Sequence, residues 1–235
     1  MGSEGTTFDM NFAELWVKSL ESQASHERSF LASLQRRAVQ RIVPQLPKAV
    51  AASDLTTISV IGALIASAAL FGCRWEARLA LFVPIGMALN WFGAALDGPL
   101  GDYRQETDSR RGLTEHLADL FSHVLVIVAY GFSPFLSLGS AAIILSCYLL
   151  FSAYTFIRAA TGHVEQMALI GIGAAEFRIL MGIWPFAAFG LGLVRPAAAV
   201  FSTLDAAIVV LAVVAILSLI LKIIVDGRRI SSARG

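Results

Sequence analysis

Six apolar stretches, each near 20 residues, dominate this chain and leave few folds open to it. They fall at 55–72, 77–96, 113–132, 136–157, 167–191 and 202–224. A helix needs about 20 apolar residues to cross roughly 30 Å of hydrocarbon. None of the stretches alternates in the manner of a barrel strand, so helices must satisfy the backbone in lipid. Of the 235 residues, 57% are hydrophobic and 15% are charged. Soluble domains carry roughly 25% charged residues and show water a polar surface. That balance argues against a soluble enzyme or a disordered chain. A net charge of +1 creates no bulk field to recruit a polyanion, so no nucleic-acid partner is expected. Cys73 and Cys147 sit in apolar surroundings, form no metal or redox spacing, and read as small apolar fillers.

Residues 1–50 form a distinct polar segment without a signal-peptide pattern. Phe12, Leu15, Trp16 and Leu20, then Phe30, Leu31, Leu34, Val39 and Ile42, recur at helical spacing. Arg28, Arg36, Arg37, Arg41 and Lys48 interleave with the second set, and Pro44 and Pro47 close the run. The pattern fits an N-terminal amphipathic helix lying on a membrane surface. It fits equally a helix packed on a partner or on the protein's own end face. The expected fold is thus an all-α integral membrane protein: segment 1–50, a six-helix transmembrane domain at 51–226 and a short basic tail at 227–235.

Basic residues set the expected orientation. With the N-terminus inside, fourteen Lys and Arg fall on the cytoplasmic side, and only Arg74, Arg78 and Arg195 fall on the other. Both termini are expected in the cytoplasm, in a membrane such as a bacterial inner membrane.

Ionisable residues at membrane depth are expensive and usually mark a site. Asp97 closes the second stretch; Glu115, His116, Asp119 and His123 begin the third; Glu176 and Arg178 interrupt the fifth. Glu115, Asp119 and His123 share one helical face by their i, i+4, i+8 spacing. Carboxylates at 97, 115 and 119 converging at one depth would repel unless a cation lay among them, and hard oxygen ligands suit Mg²⁺ or Mn²⁺. The alternative is a set of interfacial acids paired with Arg104, Arg110 and Arg111. Glu176 and Arg178, two apart, cannot face each other and need separate partners.

The stretches NWFGAALDGPLGDYR and RRGLTEHLADLFSH, within residues 90–123, resemble the signature of the CDP-alcohol phosphotransferases, D-x2-D-G-x2-A-R-x8-G-x3-D-x3-D. Anchored on Asp97 and Gly98, the third acid falls on Glu115 and the fourth on Asp119 without a gap. PKAVAASDLTTISVIGALIA (47–66) is similar to that family's entry into its first span, and GIGAAEFRIL (171–180) to its Gly-x-x-Glu-x-Arg segment. The departures are pointed: Ala94 stands where the first metal aspartate belongs, Gly101-Asp102 replaces Ala-Arg, and Arg111 replaces the motif glycine.

The resemblance implies a transfer of a phosphoalcohol from a CDP-alcohol to an acceptor hydroxyl, with release of CMP. It implies Asp97, Glu115 and Asp119 as metal ligands, holding at most one Mg²⁺ or Mn²⁺ because Ala94 cannot bridge a second. His116 and Asp119 are implied as the catalytic pair, and Gly98, Arg104, Arg111, Glu176 and Arg178 as substrate-binding residues. Ala94 and Asp102 both weaken the same phosphate–metal contact. The expectation is therefore a catalytically impaired member, retained as a structural or regulatory subunit of a membrane complex or as a homodimer among membrane lipids. The alternative is an active Mg²⁺-dependent transferase of phospholipid synthesis that takes a CDP-alcohol.

Overall fold

A computed structural model describes residues 31–106, 111–160, 174–194 and 202–232, and among these all regular structure is helical. Helix α1 spans Ala32–Ile42, α2 Ala52–Gly72, α3 Phe82–Tyr103, α4 Arg111–Gly131, α5 Leu138–Ala160, α6 Ala174–Gly190 and α7 Thr203–Ser232. Residues 12–30, where the expected surface helix begins, lie outside the described residues.

Local chemistry sets several boundaries. Pro44 sits in a 3₁₀ turn, Val43–Gln45, that ends α1. Asp54, in the first turn of α2, accepts the Ala51 N–H at 2.9 Å, supplying a partner and a negative charge at the helix start. Residues Ala77–Leu81 wind as a second 3₁₀ turn, opened by Glu76, whose carboxylate accepts the Arg78 N–H at 3.2 Å. Hence α3 begins later than the apolar run does. It also ends later, continuing through Asp97 to Tyr103.

Helices α2 and α3 form the tightest pair. A Cβ on Gly93 would lie 2.6 Å from Ser59 N and 2.8 Å from Ser59 Cβ; one on Gly86 would lie 2.6 Å from both Ala66 N and Gly62 O. Only glycine permits this backbone approach. The main core gathers Ala63, Ala66 and Leu70 of α2 with Val83 and Met87 of α3. Val126, Ile127 and Tyr130 of α4 and Met181 and Ala188 of α6 complete it. Buried Cys73 joins the same core, and burial pushes its thiol above the usual range. A second cluster seats Val39 and Val43 against Leu55, Leu96 and Leu100, so α1 packs where α2 begins and α3 ends.

Helix α5 packs on α4, and α7 on α5. Along α7, Val210, Leu211, Leu217 and Leu221 are all at least 60% exposed, a surface that water would not tolerate on this scale. Among the described residues, five helical segments are long and apolar enough to cross a membrane: Ala52–Gly72, Ala77–Tyr103, Gly112–Gly131, Leu138–Ile157 and Thr203–Val225. The chain is a multi-pass membrane protein. The count differs from six at α6, whose 17 described residues reach only about 26 Å at 1.5 Å per residue. Part of the fifth apolar stretch, 167–173, lies outside the described residues.

Pro185 lies inside α6 and cannot donate to the carbonyl four residues back, that of Met181. Tyr130 of α4 donates its hydroxyl to that same carbonyl. The tyrosine thus supplies the bond that the proline removes, and it fastens α4 to α6.

Candidate functional site

On α3, Asn90 and Asp97 are seven residues apart and share the face turned to α2, and both are buried. Asp97 accepts from Thr56 Oγ1 at 3.0 Å and from the Gly98 N–H at 2.8 Å. Two donors to one carboxylate are what allow the helix to continue through it. Ala94, on the same face, contributes no ligand atom.

Asn90 donates to Ser59 O at 3.0 Å and to Ser59 Oγ at 2.9 Å. Its Oδ1 accepts from Arg178 Nε at 2.9 Å. The close approach at Gly93 and Gly62 brings the asparagine within reach of Ser59. Arg178, itself only 5% exposed, donates through its terminal nitrogen to Asp119 Oδ1. One polar chain therefore runs Ser59–Asn90–Arg178–Asp119 and ties together α2, α3, α6 and α4.

Asp119 also faces His123, whose Nδ1 lies 3.6 Å from the carboxylate and 2.8 Å from the Asp119 carbonyl. A carbonyl only accepts, so Nδ1 carries the proton. The His123 ring lies nearly parallel to those of Tyr148 and Phe177, with centroids 5.0 Å and 5.9 Å away, and these two are 6.1 Å from each other. Its Nε2 is buried and has no hydrogen-bond partner among the described residues.

Glu115 lies one turn before Asp119. A Cβ on Gly98 would stand 3.4 Å from Glu115 Oε2, so this carboxylate sits against the residue that follows Asp97. The expected acids thus approach the same end of α3. Even so, among the described residues no three His, Cys, Asp or Glu side chains are grouped to hold a metal ion. Asp119 instead accepts from a guanidinium through Oδ1, and Asp97 from a hydroxyl and an amide.

The remaining expected residues disperse. His116 is exposed and lies edge-on to Phe156, with centroids 5.7 Å apart. Arg104 donates to Val50 O, and to Pro47 O at 2.8 Å, so it fastens the end of α3 to the turn before α2. Glu176 accepts the Leu31 N–H at 2.7 Å, at the N-terminus of α1, where a negative charge is favoured. Arg111 opens α4, and its side chain lies outside the described residues.

Four participants were not singled out from the sequence: Thr56, Ser59, Asn90 and Asp205. Each is a polar residue inside or bordering an apolar run, which was the available signal. Asp205, near the start of α7, accepts from Ser137 Oγ and Ser140 Oγ at 2.6 Å each. It also accepts from Ser202 N and Ser202 Oγ at 2.8 Å each. This saturated carboxylate binds the start of α5 to the start of α7.

Comparison with protein-family models, with curated proteins and with solved structures finds no match.

Proposed function

We propose that the chain is a six-span membrane protein of CDP-alcohol phosphotransferase type that has lost transfer chemistry. It serves as a structural or regulatory component of a membrane complex or homodimer. In this reading the fifth apolar stretch completes a sixth span through 167–173, both termini lie in the cytoplasm, and the N-terminal segment rests on the membrane surface. A bacterial inner membrane fits the distribution of basic residues.

The observation that carries the reading is the engagement of Asp119 by Arg178, whose guanidinium Asn90 holds through Nε. A carboxylate needed for a metal is held instead by an internal cation. Ala94 lacks a ligand atom, and Asp102, exposed on the last turn of α3, would repel a pyrophosphate. Losing metal contacts to the leaving group removes several kcal/mol of charge stabilisation, and about 1.4 kcal/mol is tenfold in rate.

The second reading is an active transferase with an altered site. The juxtaposition of Glu115 with Gly98, beside Asp97, favours it. The deciding experiment supplies purified protein with CDP-alcohols, acceptor alcohols and Mg²⁺ and measures CMP. Little release is expected, and the triple change Ala94→Asp, Asp102→Arg and Arg111→Gly should raise it. Turnover above about 1 per second that Asp119→Ala abolishes establishes the transferase instead.

A further inference from the structure

The polar interior raises a question of charge balance. Asp97 and Asp119 belong to one electrostatic neighbourhood with Arg178, and Glu115 stands one turn from Asp119 and against Gly98. Carboxylates at close quarters repel, here with Asp97 buried and the Asp119 side chain 33% exposed, and a cation beside them relieves that repulsion. A divalent ion is one solution, at the cost of removing part of a firmly held hydration shell. A guanidinium on the protein's own helix is another, and it carries a fixed fork of donors that matches a carboxylate.

We infer that Arg178 is the resident cation of this centre: its guanidinium holds the place beside Asp119 that a divalent ion would take, and it closes the folded protein to such ions. Three features set it there. Arg178 lies near the start of α6, on a regular helix. Asn90 fixes the guanidinium by accepting from Nε, and is itself fixed by two bonds to Ser59. Asp119 Oδ1 is then occupied by the terminal nitrogen. A metal approaching that oxygen would meet the positive charge of a guanidinium that is itself buried and weakly screened by water. Arg178 acts here through Asp119 and is a positioning residue.

This inference deepens the proposed function and rests on it for the placing of the centre. The two remain separable, because metal retention is read without any CDP-alcohol. The full chain in lipid nanodiscs is titrated with Mn²⁺ and followed by electron paramagnetic resonance, with the unfolding temperature as a second readout. Wild type should show no saturable binding and no thermal shift. Arg178→Gln, which keeps an amide for Asn90, should gain saturable Mn²⁺ binding and an Mn²⁺-dependent rise in unfolding temperature. Adding Asp119→Asn should abolish both gains. Arg178→Lys, which keeps the positive charge, should exclude Mn²⁺ as wild type does. A purely structural ion pair would lose stability in Arg178→Gln and gain no metal response. Folded Arg178→Gln without Mn²⁺ binding therefore overturns the inference, as does Mn²⁺ binding by wild type that Asp119→Asn removes. Should Arg178→Gln fail to fold, wild type and Arg178→Lys decide: Asp119-dependent binding by either overturns it, and exclusion by both supports it.

Discussion

Arg178 Nε donates to Asn90 Oδ1 at 2.9 Å, joining the start of α6 to the middle of α3 beside the apolar core. Both donors of the asparagine amide serve Ser59, and its oxygen serves the guanidinium. Each group it satisfies would otherwise be buried without a partner.

Replacement of Asn90 by leucine therefore strands the Arg178 Nε and the Ser59 groups together. An unsatisfied buried polar group costs about 1–3 kcal/mol. Asn90→Leu should destabilise the detergent-solubilised protein by about that amount or more, measured by denaturant unfolding. Asn90→Asp should fare better, since it keeps an acceptor for the guanidinium. Equal stability of Asn90→Leu and wild type would remove the network from the list of things that hold the bundle together.

The α2–α3 contact makes a sharper contrast. Gly93→Ala sets a methyl against Ser59 N and Ser59 Cβ, both inside van der Waals distance, and the main chain must separate. Overpacking of this kind costs about 1–3 kcal/mol. Gly112→Ala, where nothing lies within 4 Å of the added carbon, should leave the unfolding temperature unchanged or raise it. Similar effects of the two substitutions would contradict the close approach.

Asp205 gives a third measure. It is 4% exposed and accepts four bonds from Ser137, Ser140 and Ser202. Asp205→Ala leaves those donors unserved and should loosen α7 from α5, with a loss of about 1–3 kcal/mol. Limited proteolysis after this change should cut near the start of α7 sooner than in wild type. Unchanged proteolysis would show that the cluster is not a clasp.

Topology is decided by parity. With six spans the two termini share a side, whereas with five they are opposed. In a background lacking Cys73 and Cys147, a cysteine placed beside Arg229 or near the N-terminus should resist a membrane-impermeant maleimide in intact cells. Labelling of one terminus and not the other supports five spans and overturns the placing of both ends in the cytoplasm.

The helices were legible because length and hydropathy alone constrain a chain in lipid. Runs 113–132 and 136–157 correspond to α4 and α5 within a few residues. Where boundaries moved, a polar side chain had found a partner that one-dimensional reading could not supply. The span ended at Asp97 on sequence because a bare carboxylate belongs in water; the helix runs on because Thr56, from another helix, donates to it. Clustering of Asp97, Glu115, Asp119 and Arg178 was visible as charges out of place. Their pairing was not, since Arg178 lies 59 residues from Asp119 and only the fold joins them. Arg104 and Glu176 show the same limit: their backbone partners, at 47–50 and at Leu31, lie far away in sequence and only the fold brings them together.

The charge pair at the centre is tested most directly by a double-mutant cycle on unfolding free energy with Arg178→Gln, Asp119→Asn and the two combined, measured without divalent ions. Residues in direct contact couple by about 0.5–3 kcal/mol, and independent sites add within about 0.3–0.5 kcal/mol. A buried guanidinium that serves as counter-ion to Asp119 requires a favourable coupling of at least about 1 kcal/mol, with the double variant more stable than the two single losses would suggest. Simple additivity of the two losses would mean that Arg178 and Asp119 do not balance each other, and the resident-cation account would be wrong.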